Sequence, residues 1–347
     1  MTNTTHAVES RAELARPASV VVGHALRLVP GEKVVLICDR GSRDIAAALV
    51  EAARSISADA IVADLDELGA RPHKIVPHAW SFALALAHAS VFVASSPPDE
   101  LPMRQHLLHL VSAQGLRHAH MPAITHEVFV RGIRVPRVDA VARGQRVLER
   151  LSRARRLRST SPLGTDLHVT LGRSPGSDRV RWWAQLGVLE PGRWGNLPAG
   201  AIFATPSSVD GVLVVNASLG EWFGRREGVL EGKPVRLRIA DGRIVDVLAP
   251  HSRQLERDLE SLLEVAPSSA RIGLVCIGVN ESLEGAAGYP LVDQNLPGLH
   301  VGVGDPAARV TGARWSAPTS FAACQVGSTV EVDGVPLVSA GRLLVDD

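Results

Sequence analysis

The pattern of short segments changes near residue 150, and this change constrains the fold more than any other feature. In the first half, the apolar run Lys33–Cys38 has the length of a buried strand and is followed by Ser42, a suitable helix N-cap. One apolar stripe at helical spacing then follows: Ile45, Ala48, Leu49, Ala52, Ala53 and Ile56. Further strand-like and helix-like segments alternate after it. This alternation predicts a doubly wound, mostly parallel sheet, a Rossmann-like α/β domain over residues 1–150.

Residues 151–347 have a different pattern, in which short strand-like runs are separated by Gly, Pro and Asp turns. Asp241-Gly242 and Asp333-Gly334 are hairpin signals. One helical stripe interrupts the strands: Leu255, Leu259, Leu262 and Leu263. The second half therefore predicts a strand-rich α+β C-terminal domain.

The charges nearly cancel, with 37 basic and 36 acidic side chains and a net charge of +1. No global basic field exists to attract nucleic acid phosphates or an anionic membrane surface. The longest apolar runs are strand-sized and far too short to span a bilayer. We therefore expect neither nucleic acid nor membrane as a partner.

The cysteines indicate a compartment. Cys38, Cys276 and Cys324 are widely spaced and odd in number, which is typical of a reducing environment. The segment Met1 to Arg16 carries two glutamates and no apolar core of a signal peptide. These features predict a cytoplasmic protein.

Histidines and glycines give little support to a metal or a nucleotide. Ten of the 13 histidines precede residue 130, and neither a Cys pair nor a His-Glu-x-x-His helix occurs. The loop Asp39–Asp44 lacks both the dinucleotide glycine pattern and the Walker lysine. The sequence therefore predicts no metal site and no cofactor.

Five of the six tryptophans lie in the second half, several of them in Gly- and Pro-rich segments. A tryptophan supplies a large apolar area with one hydrogen-bond donor, which suits a ligand pocket. Trp222 is therefore a candidate binding residue, although core anchors of a strand-rich domain have the same composition. Both interpretations stay open at this point.

Four segments in the second half together resemble one family. They are Ser159–Leu167 (STSPLGTDL), Gly195–Pro206 (GNLPAGAIFATP), Ala270–Asn280 (ARIGLVCIGVN) and Gly298–Gly304 (GLHVGVG). Their order and spacing look like those of the thermophilic-type metallo-aminopeptidases, aminopeptidase T and aminopeptidase S, and of the related 2,5-dihydroxypyridine 5,6-dioxygenases. The resemblance covers nearly the whole chain and implies a homodimer.

The resemblance also implies a metal centre whose ligands are mostly replaced here. Ala201 and Leu274 stand where the aminopeptidases have two glutamates, while His300 matches the strand histidine. The His-Trp-Asp triplet of the family corresponds to Arg314-Trp315-Ser316, which has lost both ligands. The dioxygenases hold one iron through the same histidine and triplet. A hydrolytic metal centre needs several anionic or imidazole ligands. The resemblance therefore implies that this chain does not bind a catalytic metal ion.

The strand around His300 has a face that suits a ligand. A period of two places His300, Gly302 and Gly304 on one side and Leu299, Val301 and Val303 on the other. Glycines beside a histidine leave room for a ligand's backbone, but they also occur where a structural histidine lies in a tightly packed sheet. The residues leave the two alternatives open.

We therefore expect a catalytically degenerate aminopeptidase-like protein that binds a peptide or a small carboxylate, for which an arginine fork is suited. Natural-product biosynthesis reuses such scaffolds and is the expected setting. The candidate ligand-binding residues are His300, Arg314, Trp315, Ser316, Asp166 and Trp222; no catalytic residue is assigned. The alternative is an active metal-dependent aminopeptidase or hydrolase, or an iron-dependent ring-cleaving dioxygenase, with rearranged ligands.

Overall fold

The chain forms two compact units in the computed structural model, which describes residues 12–134, 138–172, 179–283 and 285–345. The first unit comprises Met1–Pro136 and Gly187–Ala199, and the second comprises Arg137–Leu186 and Gly200–Asp347. The division between residues 150 and 151 that the sequence suggests falls inside the helix Val138–Arg153. This helix belongs wholly to the second unit, because Val147 and Leu151 are buried in that unit's core.

A five-stranded parallel sheet forms the centre of the first unit. Its strands stand in the order β2-β1-β3-β4-β8, with β1 Lys33–Cys38, β2 Asp59–Asp64, β3 Ala89–Phe92, β4 Arg117–His120 and β8 Trp194–Asn196. Because β2 and β3 lie on opposite sides of β1, the strand order reverses there, as in doubly wound folds. The predicted doubly wound, parallel sheet is confirmed.

Helices and helical turns precede, connect and follow the strands of this sheet. They are the π-helical turn Val20–Ala25, the 3-10 turns Arg40–Ser42, Leu65–Leu68 and Pro98–Glu100, and the helices α1 Arg43–Ser55, α2 His78–Ala85, α3 Leu101–Gln114 and α4 His126–Gly132. The predicted stripe buries α1 through residues such as Ile45 and Leu49. In α2, by contrast, only Leu84 is buried.

The second unit contains two antiparallel sheets. The larger has the order β12-β11-β10-β6-β5-β16-β17-β18, with β5 Arg156–Thr160, β6 Asp166–Leu171, β10 Pro206–Val215, β11 Val235–Ala240, β12 Arg243–Leu248, β16 Thr329–Val332, β17 Val335–Ser339 and β18 Arg342–Leu343. The smaller has the order β15-β14-β13-β9-β7, with β7 Trp183–Gln185, β9 Ala201–Ala204, β13 Ile272–Gly278, β14 Gly298–Gly304 and β15 Ser320–Ala323. The predicted strand-rich second half is confirmed.

Both sheets of the second unit contribute to one apolar core, for example through Leu213 and Leu237 of the larger sheet and Val275 and Val301 of the smaller. The helices of this unit are α5 Val138–Arg153, α6 Glu221–Glu227, α7 Arg253–Glu264, α8 Pro290–Asp293 and α9 Ala308–Thr311. Both residues of each predicted hairpin turn have positive φ, for example 50° at Asp241 and 69° at Gly242, as a type I′ turn requires.

Within the four described ranges, none of the helices has the length and apolar character needed to cross a bilayer. The three cysteines are all buried and unpaired.

Candidate functional site

His300 lies on β14, the strand next to the edge strand β15 of the smaller sheet, and is almost completely buried. It pairs with Cys276 of β13 across the sheet. On the other side of β14, Val301 pairs with Ala323, the last residue of β15, and Cys324 follows it directly. The sequence motifs did not indicate that a thiol lies opposite His300 on β13.

Backbone groups occupy both ring nitrogens of His300. Its Nε2 lies 2.9 Å from the main-chain oxygen of Leu296, and its Nδ1 accepts a hydrogen bond of 3.4 Å from the amide of Gln325. Burial lowers the pKa of His300 to about 4, so the imidazole is neutral at pH 7. Since Nδ1 accepts, the proton resides on Nε2, which donates to Leu296.

The glycines beside His300 do not open a cleft there. A Cβ placed on Gly302 would lie 2.9 Å from the Cβ of Leu274, and one placed on Gly304 would collide with the main-chain oxygen of Thr319. Of the two alternatives that the sequence leaves open, this geometry agrees with a structural histidine in a tightly packed sheet.

Gln325 is a second buried polar residue at this position, and sequence reasoning missed it. Its Nε2 donates to the carbonyl of Leu299 at 2.8 Å and to the hydroxyl of Ser159 at 3.2 Å, while its Oε1 accepts from Thr165 at 2.9 Å. These bonds connect the two sheets of the second unit around His300. No local pattern could have revealed Gln325, because its partners are distant in sequence.

Asp293 is a further buried group that the sequence did not single out. Its carboxyl oxygens accept hydrogen bonds from the amides of Ala287 and Gly288, at 2.7 and 3.1 Å. Burial nevertheless raises the pKa of Asp293 to about 6. Burial also raises the pKa of the nearby Cys324 thiol well above its usual value. The electrostatic effects of Asp293 and Cys276 raise it further. The thiol is therefore protonated and a poor nucleophile.

The residues at the metal-ligand positions that the resemblance implies do not fit a divalent ion. Ala201 and Leu274 carry no donor atom, and both nitrogens of His300 are engaged. Burial raises the pKa of Cys276 to about 12, and its thiol donates to the carbonyl of Gln294. Across the described ranges, no group of three or more His, Cys, Asp and Glu side chains has an arrangement that could hold a metal ion.

Arg314, Trp315 and Ser316 lie in the connection between α9 and β15, outside the strand that pairs with β14. Arg314 and Ser316 are exposed, and Trp315 is partly buried. The guanidinium of Arg271, just before β13, stacks 3.9 Å from the centroid of the Trp315 ring. Arg271 was not among the candidates from sequence, because its proximity to Trp315 depends on the tertiary fold.

A third arginine reaches the same connection. Arg181 donates from Nη2 to the carbonyl of Arg309, and its Nη1 would lie 3.2 Å from a Cβ on Gly312. Among the residues that the structure describes, no carboxylate lies within 4.0 Å of the guanidinium of Arg181, Arg271 or Arg314. We call Arg181, Arg271, Arg314 and Trp315 the arginine–tryptophan surface.

The two remaining candidates make their contacts elsewhere. Asp166 is exposed on β6, where it pairs with Arg158 at 3.1 Å and lies 3.3 Å from His168. Its hydrogen bond with Arg158 lowers the pKa of the Asp166 carboxyl. Trp222 is half exposed on α6, where the guanidinium of Arg226 lies 5.2 Å from its ring centroid. In the described ranges, no hydrogen bond or ion pair joins any two of the six candidates.

Comparisons with known proteins agree with this architecture. The family model described as NicX, 2,5-dihydroxypyridine 5,6-dioxygenase, matches residues 24–251. No curated protein matches the sequence. Among solved structures, 2,5-dihydroxypyridine dioxygenase from Pseudomonas putida KT2440 is 20% identical and has a TM-score of 0.73, with 97% of this chain and 98% of that chain covered. Wild-type AmpT from Thermus thermophilus is 19% identical and has a TM-score of 0.64, with 96% and 99% covered. The resemblance to both families is confirmed.

Proposed function

The chain belongs to the 2,5-dihydroxypyridine 5,6-dioxygenase family, and on that premise we propose that it is a catalytically degenerate member that binds a peptide or a small carboxylate. Its fold is the one shared by the dioxygenase and by AmpT. In this proposal, the protein retains the fold of the family and has lost its metal centre.

The engagement of His300 is the observation that carries this proposal. A histidine ligand must present a free nitrogen lone pair to the ion. The Nδ1 lone pair of His300 accepts from Gln325, and its Nε2 is directed at the carbonyl of Leu296. Alanine and leucine at the former glutamate positions supply no donor atom for an ion.

The arginine–tryptophan surface supports the binding part of the proposal. A guanidinium without an acidic partner can bind a carboxylate through two parallel hydrogen bonds. Arg271 is held in place by its stacking on Trp315, which lowers the entropy cost of that recognition. A free carboxylate, or the carboxyl terminus of a peptide, is the ligand that this surface suits.

Elemental analysis of the purified full-length protein tests the loss of the metal centre. We expect Zn, Co, Mn and Fe far below one ion per chain, and neither aminopeptidase activity nor cleavage of a dihydroxypyridine ring after incubation with each metal. Near-stoichiometric metal that is lost in His300→Ala would overturn the proposal and establish the metal-dependent alternative.

Binding is tested separately by calorimetry with small carboxylates and with short peptides, each peptide also prepared as its C-terminal amide. We expect saturable binding of the small carboxylates and of the peptides with a free carboxyl terminus, but not of the C-terminal amides. The variants Arg314→Gln and Arg271→Gln should each bind about tenfold or more weakly than the wild type. Arg238→Gln, which removes an exposed arginine from β11, is the matched control and should bind normally. An absence of saturable binding across both panels would contradict the binding role.

A further inference from the structure

The strand β2 forms one edge of the parallel sheet in the first unit. In the described chain it pairs with β1 on one side and with no strand on the other. The amide of Asp59 donates to the carbonyl of Glu32 at 2.8 Å, so Asp59 directs its backbone groups towards β1. Because this direction alternates along a strand, Ile61 does the same, whereas Ala60 and Val62 direct their amides and carbonyls away from the sheet. Val62 is also 50% exposed, so free backbone groups and an apolar side chain lie together at the open edge.

A groove with a volume of about 440 Å³ lies between β2 and α1. One face of the helix lines it, through residues that recur every three to four positions: Arg43, Ala46, Ala47, Val50, Glu51 and Arg54. The remaining lining consists of Cys38, Val62, Asp64 and Glu67. Arg43 and Arg54 are eleven residues apart on α1, which corresponds to about 16 Å along the helix axis. The groove is therefore long and narrow, and about five residues of extended chain match its length.

The two ends of the groove carry opposite charges. The start of α1 lies at the end of β2, because Arg43 pairs with Asp64 at 2.6 Å. The end of α1, with Arg54, therefore lies towards the start of β2, whereas Glu67 follows the end of that strand. Among the residues that the structure describes, neither Arg54 nor Glu67 has an ion-pair partner within 4.0 Å. The groove thus offers a cation at one end and an anion at the other.

Shape and charge together favour an extended peptide segment as the occupant. Its backbone can add a strand to β2 through the free groups of Val62, while its side chains enter the groove. A second copy of this chain that paired through its own β2 would fill the groove poorly. On the face of Val62 it presents only Ala60, Val62 and Asp64, and Arg43 already engages the last of these. One methyl and one isopropyl group would leave most of the 440 Å³ empty.

We propose that the groove beside β2 binds a peptide segment of a partner protein as an added antiparallel strand. Antiparallel pairing is the more stable of the two directions per residue. It places the start of the segment beside Glu67 and its end beside Arg54. The segment therefore has Lys or Arg at the first of about five positions, β-branched residues in between, and Asp or Glu at the last. This site lies in the first unit and does not depend on the arginine–tryptophan surface.

Calorimetry on the full-length protein tests the site with the peptide Lys-Val-Thr-Val-Glu, acetylated and amidated so that neither terminus is charged. We expect saturable binding to the wild type and a loss of about tenfold or more in affinity for Arg54→Glu. The peptide Lys-Val-Thr-Val-Lys should recover the affinity in Arg54→Glu, which a damaged fold would not allow. Arg131→Glu, which changes an exposed arginine of the same unit, is the matched control. An absence of saturable binding, or equal binding by Arg54→Glu, overturns the proposal.

The variant Arg314→Gln separates this site from the arginine–tryptophan surface. It should bind the capped peptide as the wild type does, because Arg314 belongs to the second unit. A loss of binding in Arg314→Gln that Arg54→Glu does not share would place the peptide on the arginine–tryptophan surface and reject the groove beside β2.

Hydrogen exchange at single residues tests whether the peptide adds a strand. The amide of Val62 points away from the sheet and should exchange rapidly in the free protein, and at least about tenfold more slowly when the peptide is bound. The amide of Ile61 points towards β1 and should exchange slowly in both states, which makes it an internal control. Slow exchange at Val62 without the peptide would show that a second copy or another part of the chain already covers the edge. That result, or rapid exchange at Val62 in the complex, overturns the proposal.

Discussion

The Nε2 of His300 lies 2.9 Å from the main-chain oxygen of Leu296, four residues earlier in the chain. This bond, together with the one from the amide of Gln325 to Nδ1, fixes the ring and its tautomer. The histidine thereby connects the segment before β14 to the residue after Cys324. The residue that most resembles a family ligand is, in this chain, part of the packing of the sheet.

His300→Ala should therefore destabilise the second unit. The carbonyl of Leu296 and the amide of Gln325 lose their partner in a buried environment, and a cavity forms. We expect a loss of about 2–4 kcal/mol in the free energy of unfolding, measured by urea denaturation. His251→Ala, which changes an exposed histidine, should change it little. An equally small effect at His300 would contradict the structural role.

The same residue should make stability depend on pH. Burial lowers the pKa of His300 from 6.5 to about 4, so below pH 6.5 the unfolded chain binds a proton that the folded protein does not. The stability is fully present above pH 6.5 and is lost as the pH falls towards 4, by about 3 kcal/mol for this group. Unfolding measured between pH 7 and pH 4 should show a shallower decline in His300→Gln than in the wild type. Parallel curves would count against this assignment.

Asp293 should act in the opposite direction. Burial raises its pKa from 3.8 to about 6, so the folded protein binds a proton that the unfolded chain releases. Its contribution to stability is fully present below pH 3.8 and is lost as the pH rises to 6, by about 3 kcal/mol. The stability of Asp293→Asn relative to the wild type should rise over this interval. Thermal unfolding at pH 4, 5, 6 and 7 measures it, and a pH-independent difference would show that the carboxyl titrates normally.

Arg71 in the first unit should be sensitive to substitution. Its guanidinium bonds to the buried carboxylates of Asp39, at 2.8 Å, and Glu100. Burial by itself would raise the pKa of both carboxyls. Hydrogen bonds outweigh it: Ser95 and Arg71 donate to Asp39, and Arg71 donates to Glu100, so the pKa of each carboxyl is lowered. Arg71→Met should leave two uncompensated buried charges and cost about 3–5 kcal/mol in chemical denaturation.

Arg131→Met is the matched control for Arg71→Met. It also removes an arginine of the first unit that pairs with a carboxylate, Glu127, but both side chains are exposed and the loss of the pair should matter little. Similar losses from the two substitutions would contradict the importance of burial at Arg71.

Local patterns predicted much of the fold. The apolar run Lys33–Cys38 is β1, the stripe that follows Ser42 is α1, and both predicted hairpin turns occur. In all these cases the signal lies within a few residues.

Elements that depend on distant pairing were not predicted. The strand β8 adds to the parallel sheet by pairing with β4, 76 residues earlier, where Trp194 pairs with His118. Nothing in the sequence Trp194–Asn196 specifies that partner. The same limit applies to the site. The motifs identified the strand of His300, but its actual partners, Leu296 and Gln325, act through backbone groups that any residue provides. The approach of Arg271 to Trp315 likewise depends on how β13 and the connection before β15 pack.

The path of the chain through β8 restricts how this scaffold can be dissected or recombined. The chain leaves the first unit after Pro136, returns to it for Gly187–Ala199, and then enters the second unit again. No single cut can therefore release either unit intact. A fragment ending at residue 150 would leave β4 without its neighbour along His118–His120. A chimera between two relatives would have to exchange both stretches of the first unit together. We therefore expect β8 and the other strands of its sheet to be interchangeable only as a set.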